Sequence, residues 1–163
     1  MSDRLAYVEK LTHQAVREVF QSMLSMELMD EPPSPLVAEP GGQIIGSVGF
    51  IGQATGVIYL YAGACFAKVI TGRMLGISAQ AIDSDDMVND AIGELSNMVA
   101  GFVKSRLCDN GWPCTLTIPS IVRGQQLSVE GSAQVTRKAI AFRADDYHLV
   151  VELLLKESQS PGI

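Results

Sequence analysis

The cluster Glu31-Pro-Pro-Ser-Pro35 separates two stretches whose apolar residues repeat with different periods. Its prolines remove backbone donors and fix φ, so neither a helix nor a central strand can run through it. Before it, Leu5, Val8, Leu11, Ala15, Val19, Met23 and Met26 recur at three- and four-residue spacing, which predicts an amphipathic helix from a Ser2 or Asp3 cap to about Met29. From Gln43 onward the period is two. Ile44, Ile45, Val48 and Phe50, then Val57, Ile58, Leu60 and Tyr61, flank Gly52-Gln-Ala-Thr-Gly56 and predict an antiparallel hairpin, Gln43 to Ile51 and Thr55 to Ala62.

The same reading predicts a second helix from Cys65 to Leu75, stopped by Gly76. The acids Asp83-Ser-Asp-Asp86 suit the N-terminus of a long third helix by capping and by the macrodipole, and Asn110-Gly111 can end it in a left-handed turn. A short strand follows from Thr115 to Ile118, stopped by Pro119, then an extended piece from Ile121 to Leu127. Val135 to Arg143 and Tyr147 to Lys156 read as strands joined by Ala144-Asp-Asp146, and Glu157 to Ile163 as a frayed tail. The order predicts one α+β domain over residues 1–163: a mainly antiparallel sheet with helices packed on one face, two of them long.

Composition excludes several function classes. A net charge of −6 with no basic stripe argues against binding a nucleic-acid backbone. No apolar run reaches membrane-spanning length and no basic-then-apolar leader opens the chain, so a soluble, cytoplasmic protein with no membrane partner is expected. Cys65, Cys108 and Cys114 lack the spacing of a zinc site, and His13 and His148 each lack a ligand pattern, so no metal or cofactor is expected on this chain. The acid cluster at Asp83 lacks the glycine and distal glutamate of a calcium loop.

The third helix carries its polar residues on one line. At about 100° per residue, Asp90, Gly93, Glu94, Asn97, Gly101 and Lys104 share one sector, opposite Val88, Ile92, Leu95, Val99, Phe102 and Val103. Glu94 and Asn97 are three apart and act on one target: a carboxylate accepts from a cation, and a carboxamide both donates and accepts, so it can orient a water. Each helical glycine costs roughly 0.5–1 kcal/mol, which suggests a close approach to the backbone at Gly93 and Gly101; the alternative is that they are tolerated by chance or pack against this protein's own loops. No nucleophile beside a base and no phosphate loop accompanies the pair.

Asp90-x-x-x-Glu94-x-x-Asn97, followed by Pro119 and Gly124, resembles the signature of the CheC/CheX/FliY family of chemotaxis phosphatases. Ala15-Val16, Val19-Phe20-Gln-Ser-Met23-Leu24, Ile45-Gly-Ser-Val-Gly-Phe50, Gly56-Val-Ile-Tyr-Leu60 and Met74-Leu-Gly76 are similar to the CheX branch, and the single Glu-x-x-Asn motif fits that branch. The resemblance implies a phosphatase acting on the aspartyl phosphate of a CheY-type receiver domain. Asn97 would orient the attacking water and Glu94 would pair with the receiver's active-site lysine. Asp90, Gly93, Gly101 and Lys104 would meet the partner, and magnesium would belong to the receiver. A non-catalytic receiver-binding adaptor is the alternative, and a structural part of the flagellar switch a third class. The branch's strand-sharing homodimers, together with an apolar run from Leu149 to Leu155 that would be a liability as a bare edge, imply a homodimer.

Overall fold

A computed structural model describes residues 3–37 and 39–156. The expected Ser2 cap and the tail from Glu157 to Ile163 lie outside the described residues. The chain runs α1 (Asp3–Leu24), β1 (Met29–Glu31), β2 (Gln43–Gly52), β3 (Gly56–Gly63), α2 (Ala64–Leu75), a 3-10 turn (Ala79–Ala81), α3 (Asp85–Asp109), β4 (Cys114–Leu116), β5 (Ser120–Gly124), β6 (Val135–Ala144) and β7 (Tyr147–Lys156). The strands form one antiparallel sheet in the order β1-β6-β7-β3-β2-β4, with β5 joining β2 beside β4. The expected α+β architecture is the observed one. No helix of the described residues is long and apolar enough to cross a membrane.

The three helices pack on the sheet face that carries Ile44, Val48, Phe50, Ile58, Leu60, Leu149, Val151, Leu153 and Leu155. From α1, Leu5, Val8, Val16, Phe20 and Leu24 enter this core; from α3, Val88, Ile92, Leu95, Val99, Val103 and Leu107 do. These are the positions that a 3.6-residue period assigns to one face. Met23, expected among them, is 44% exposed.

Two helix ends are set from a distance. α1 stops at Leu24 rather than near Met29, because Ser25 turns left-handed with φ of 49°. The Arg73 guanidinium donates to the carbonyls of Leu24 and Ser25 at 3.0 and 3.4 Å, supplying both hydrogen bonds and the positive charge that a helix C-terminus favours. At α2, Gly63 offers no capping side chain, and Glu39 Oε1 accepts from the Cys65 amide instead, at 3.0 Å. Gly76 ends α2 in the left-handed region as expected.

The shortened α1 frees Met29–Glu31 to pair with β6 as β1, a strand that the sequence reading assigned to the helix end and the connector. His13 Nε2 lies 2.8 Å from Asp30 and His148 Nδ1 2.7 Å from Glu31, so both histidines hold this short edge strand by its carboxylates. β7 is interior, paired along its length with β6 and through most of it with β3. The bare apolar edge expected from Leu149 to Leu155 therefore does not exist. Among the described residues the sheet's edges are β1 at one end and β4 and β5 at the other, and β6 from Val135 to Ile140, beyond the reach of β1, is also unpaired on one side.

Candidate functional site

α3 is seated on the sheet by a near collision. A Cβ built at Gly46 on β2 would lie 2.2 Å from Ser96 Oγ and 2.9 Å from Ile92, so only glycine lets this turn of the helix come so close. Ser96 is buried and returns its hydroxyl to the Ile92 carbonyl at 2.7 Å, leaving no donor loose at the contact. Arg123 on β5 fixes the helix start: its Nε donates to Asn89 Oδ1 at 2.7 Å, Nη2 to the Asp85 carbonyl at 3.3 Å, and Nη1 lies 3.6 Å from the Asp85 carboxylate. At the far end, the Trp112 amide donates to the Leu107 carbonyl and Gly111 takes a φ of 78°.

With Ile92, Leu95, Ser96 and Val99 facing inward, the polar line points away from the core as the helical period requires. Asp90 and Glu94 are exposed; Asn97, Gly101 and Lys104 are half-buried. Glu94 and Asn97, one turn apart, form no side-chain hydrogen bond or ion pair among the described residues, so both head groups are available to an incoming partner. Their separation at Cβ is that of i, i+3 neighbours, about 5–6 Å.

The two glycines of this line part company. Gly93 is buried, and a Cβ there would meet Pro119 and Ile121 of this same chain at 3.8 and 3.9 Å. A Cβ at Gly101 would meet nothing within 4 Å. The neighbours of Gly93 are thus residues of this chain's own sheet edge, at a distance that would leave room for a Cβ, and Gly101 fronts open space. Sequence reading placed Pro119 as a strand stop and passed over Arg123; neither carries a local signal of contact with a helix some thirty residues earlier.

Further groups cluster away from the polar line of α3. Cys108 and Cys114 are brought together at the end of α3; burial, and then Cys108, push the Cys114 thiol up, while Lys104 pulls it down. Cys65, in an apolar stretch of the sequence, is exposed. Across the sheet from the helices, Leu36, Gln43, Tyr61, Leu127, Arg137 and Glu152 help to line a cavity of about 710 Å³. Glu152 is 7% exposed and ion-paired with Arg137. Burial, and then the Glu152 charge, push the Tyr61 phenol up to about 12 and also raise Tyr59. Among the described residues, no group of three or more His, Cys, Asp and Glu side chains could hold a metal ion.

The model of the family Chemotaxis phosphatase CheX matches residues 44–143, a span that includes all of β2 but its first residue and the whole of β3, α2 and α3. The CheY-P phosphatase CheX of Thermotoga maritima is 27% identical over 138 residues, 83% of this chain and 88% of that protein. A chemotaxis protein CheX from Desulfovibrio desulfuricans superposes with a TM-score of 0.77 at 23% identity, covering 92% of this chain and 99% of that one. The CheX–CheY–BeF3–Mg2+ complex from Borrelia burgdorferi matches with a TM-score of 0.74 at 19% identity, over 91% of this chain and 97% of that one.

Proposed function

Because the chain belongs to the chemotaxis phosphatase CheX family, we propose that it hydrolyses the aspartyl phosphate of a CheY-type receiver domain, using Glu94 and Asn97. The observation that carries this reading is the pair itself: a carboxylate and a carboxamide, adjacent on a helix that is pinned to the sheet, with head groups that engage nothing else described. Relatives named CheY-P phosphatase CheX and CheX–CheY complex support the substrate class.

The chemistry asks this chain for positioning rather than for a nucleophile. The Asn97 carboxamide accepts from and donates to one water and holds it in line with the departing aspartyl oxygen. Water oxygen bonds to phosphorus as the aspartyl O–P bond breaks; inorganic phosphate leaves and the receiver carboxylate is restored. Glu94 accepts from the receiver's active-site lysine and so fixes the register of docking. Magnesium would be held by the receiver, not by this chain, and would supply charge neutralisation at the phosphoryl group. Asp90, Gly101 and Lys104 meet the receiver along the same line, while Gly93 is buried beneath it, facing Pro119 and Ile121. Such a partner implies a cytoplasmic location.

Mixing the protein with a phosphorylated CheY-type receiver and magnesium, and following phosphate release, tests this. Asn97→Ala is expected to lower the rate by about a hundredfold or more with an unchanged melting curve, because an unpositioned water forfeits the orientation effect. Preferential binding of the phosphorylated receiver without any shortening of its phosphoryl lifetime would instead identify an adaptor.

A further inference from the structure

β4 and β5 are one edge strand interrupted by a bulge. Phe50 pairs with Leu116 and Ser47 with Ser120, so two residues of β2, Val48 and Gly49, face three on the edge: Thr117, Ile118 and Pro119. One residue is extra, which defines a β-bulge, a device that re-aims side chains at sheet edges and beside active sites.

The bulge is held on both sides. Thr117 engages both backbone groups of Gly49: its amide donates to the Gly49 carbonyl at 2.8 Å, and its hydroxyl accepts from the Gly49 amide at 2.8 Å. Pro119 fixes its own φ, leaves no unpaired N–H on the edge, and lies against Gly93. Between these two anchors Ile118 is 85% exposed. Nothing in the strand pairing needs an apolar side chain there; Thr117 and Pro119 do the holding.

Its location is next to the polar line. Pro119 faces Gly93, where a Cβ would lie 3.8 Å from it; Gly93 precedes Glu94 and lies one turn before Asn97. A protein partner that covers about 800 Å² of this surface has a footprint about 16 Å in radius, so a receiver centred on Glu94 and Asn97 covers Ile118 as well. An apolar side chain on an anchored stretch of backbone, beside charged and amide groups, is the arrangement of an interface anchor, because backbone already held in place loses little freedom on docking.

We propose that Ile118 is the apolar anchor of the receiver interface, seating against an apolar patch beside the receiver's phosphorylation site and deciding which receivers are accepted. The assignment rests on the receiver reading of Glu94 and Asn97. Binding of a beryllofluoride-loaded, magnesium-bound CheY-type receiver, measured by titration calorimetry alongside steady-state phosphatase kinetics, tests it. Ile118→Asp is expected to weaken binding and raise KM by about tenfold, with kcat within about twofold and the melting curve unchanged, as for loss of an interface anchor that does not touch the reacting atoms. Ile118→Leu should stay close to the parent, and Ile118→Thr, which keeps the branched Cβ, should fall between them. Native affinity and KM in Ile118→Asp, with Asn97→Ala still abolishing hydrolysis, would overturn the Ile118 assignment alone. A parent protein that neither binds nor dephosphorylates any CheY-type receiver of its own cell would remove the assignment together with the function beneath it.

Discussion

On the helix side of the sheet, the buried polar side chains Thr12, Thr71 and Ser96 each return a hydroxyl to the carbonyl four residues earlier, at 2.7–2.8 Å, and the rest of the contact is aliphatic and aromatic. On the other side, strands β2, β3, β6 and β7 present Gln43, Tyr59, Tyr61, Arg137 and Glu152 among a few apolar residues, beneath the segments around Leu36 and Leu127. There the Tyr61 hydroxyl and Glu152 Oε2 are buried with no hydrogen-bond partner among the described residues. One face is dry and internally satisfied, and it carries the weight of α3. The opposite face holds a charged pair with polar capacity to spare. Because buried polar groups cost free energy when left unpaired, stability should be concentrated on the first face and condition-dependent on the second.

The sharpest way to break this contrast is to cut equally deep on both sides. Leu153, fully buried toward the helices, should cost roughly 2–5 kcal/mol on Leu153→Ala, read as a lowered urea midpoint at unchanged slope. On the loop side, Arg137→Met should cost less, roughly 1–3 kcal/mol. It strands the Glu152 carboxylate, but the guanidinium side chain is 44% exposed and water screens much of the pair's attraction. Replacing both, Arg137→Met with Glu152→Leu, should bring stability back to about the parent level, since an apolar pair of similar size removes the unpaired charge. A double variant as weak as the single one would show that the pair contributes packing that no apolar substitute supplies.

The smallest effect separates the faces by pH. The Tyr61 phenol is pushed up to about 12 from an ordinary 10.0, mainly by burial. The unfolded chain therefore loses this proton first, and the stability tied to the neutral phenol is complete below pH 10 and drains away as pH rises toward about 12. Tyr61→Phe should flatten that part of the alkaline unfolding curve and leave the neutral region nearly unchanged. An identical alkaline limb in the variant would move the titration to another group.

Much of this fold was legible because the signals are local. The two periods on either side of Glu31-Pro-Pro-Ser-Pro35, the turn at Gly52 to Gly56 and the left-handed Gly76 are written within a few residues of the structure they produce. Glu94 and Asn97 belong to the same class, since three residues of helix suffice to make them neighbours. What went unread depends on partners far along the chain. α1 ends where Arg73 reaches it, β1 exists because β6 and two histidines hold it, and the bulge at Thr117–Pro119 is defined only by its register against β2. Glu152 was visible as one polar position in an apolar run, but its partner Arg137 becomes a neighbour only through the pairing of β6 with β7.

Gln43 gives the loop-covered face a time dimension. Its amide nitrogen donates to the Leu36 carbonyl at 3.4 Å while its amide oxygen accepts from the Leu127 amide at 3.1 Å, so one buried carboxamide ties down two segments that are distant in sequence. A single rotation of that group releases both. Gln43→Leu is therefore expected to loosen both covers together, read as faster hydrogen exchange in the two segments at once.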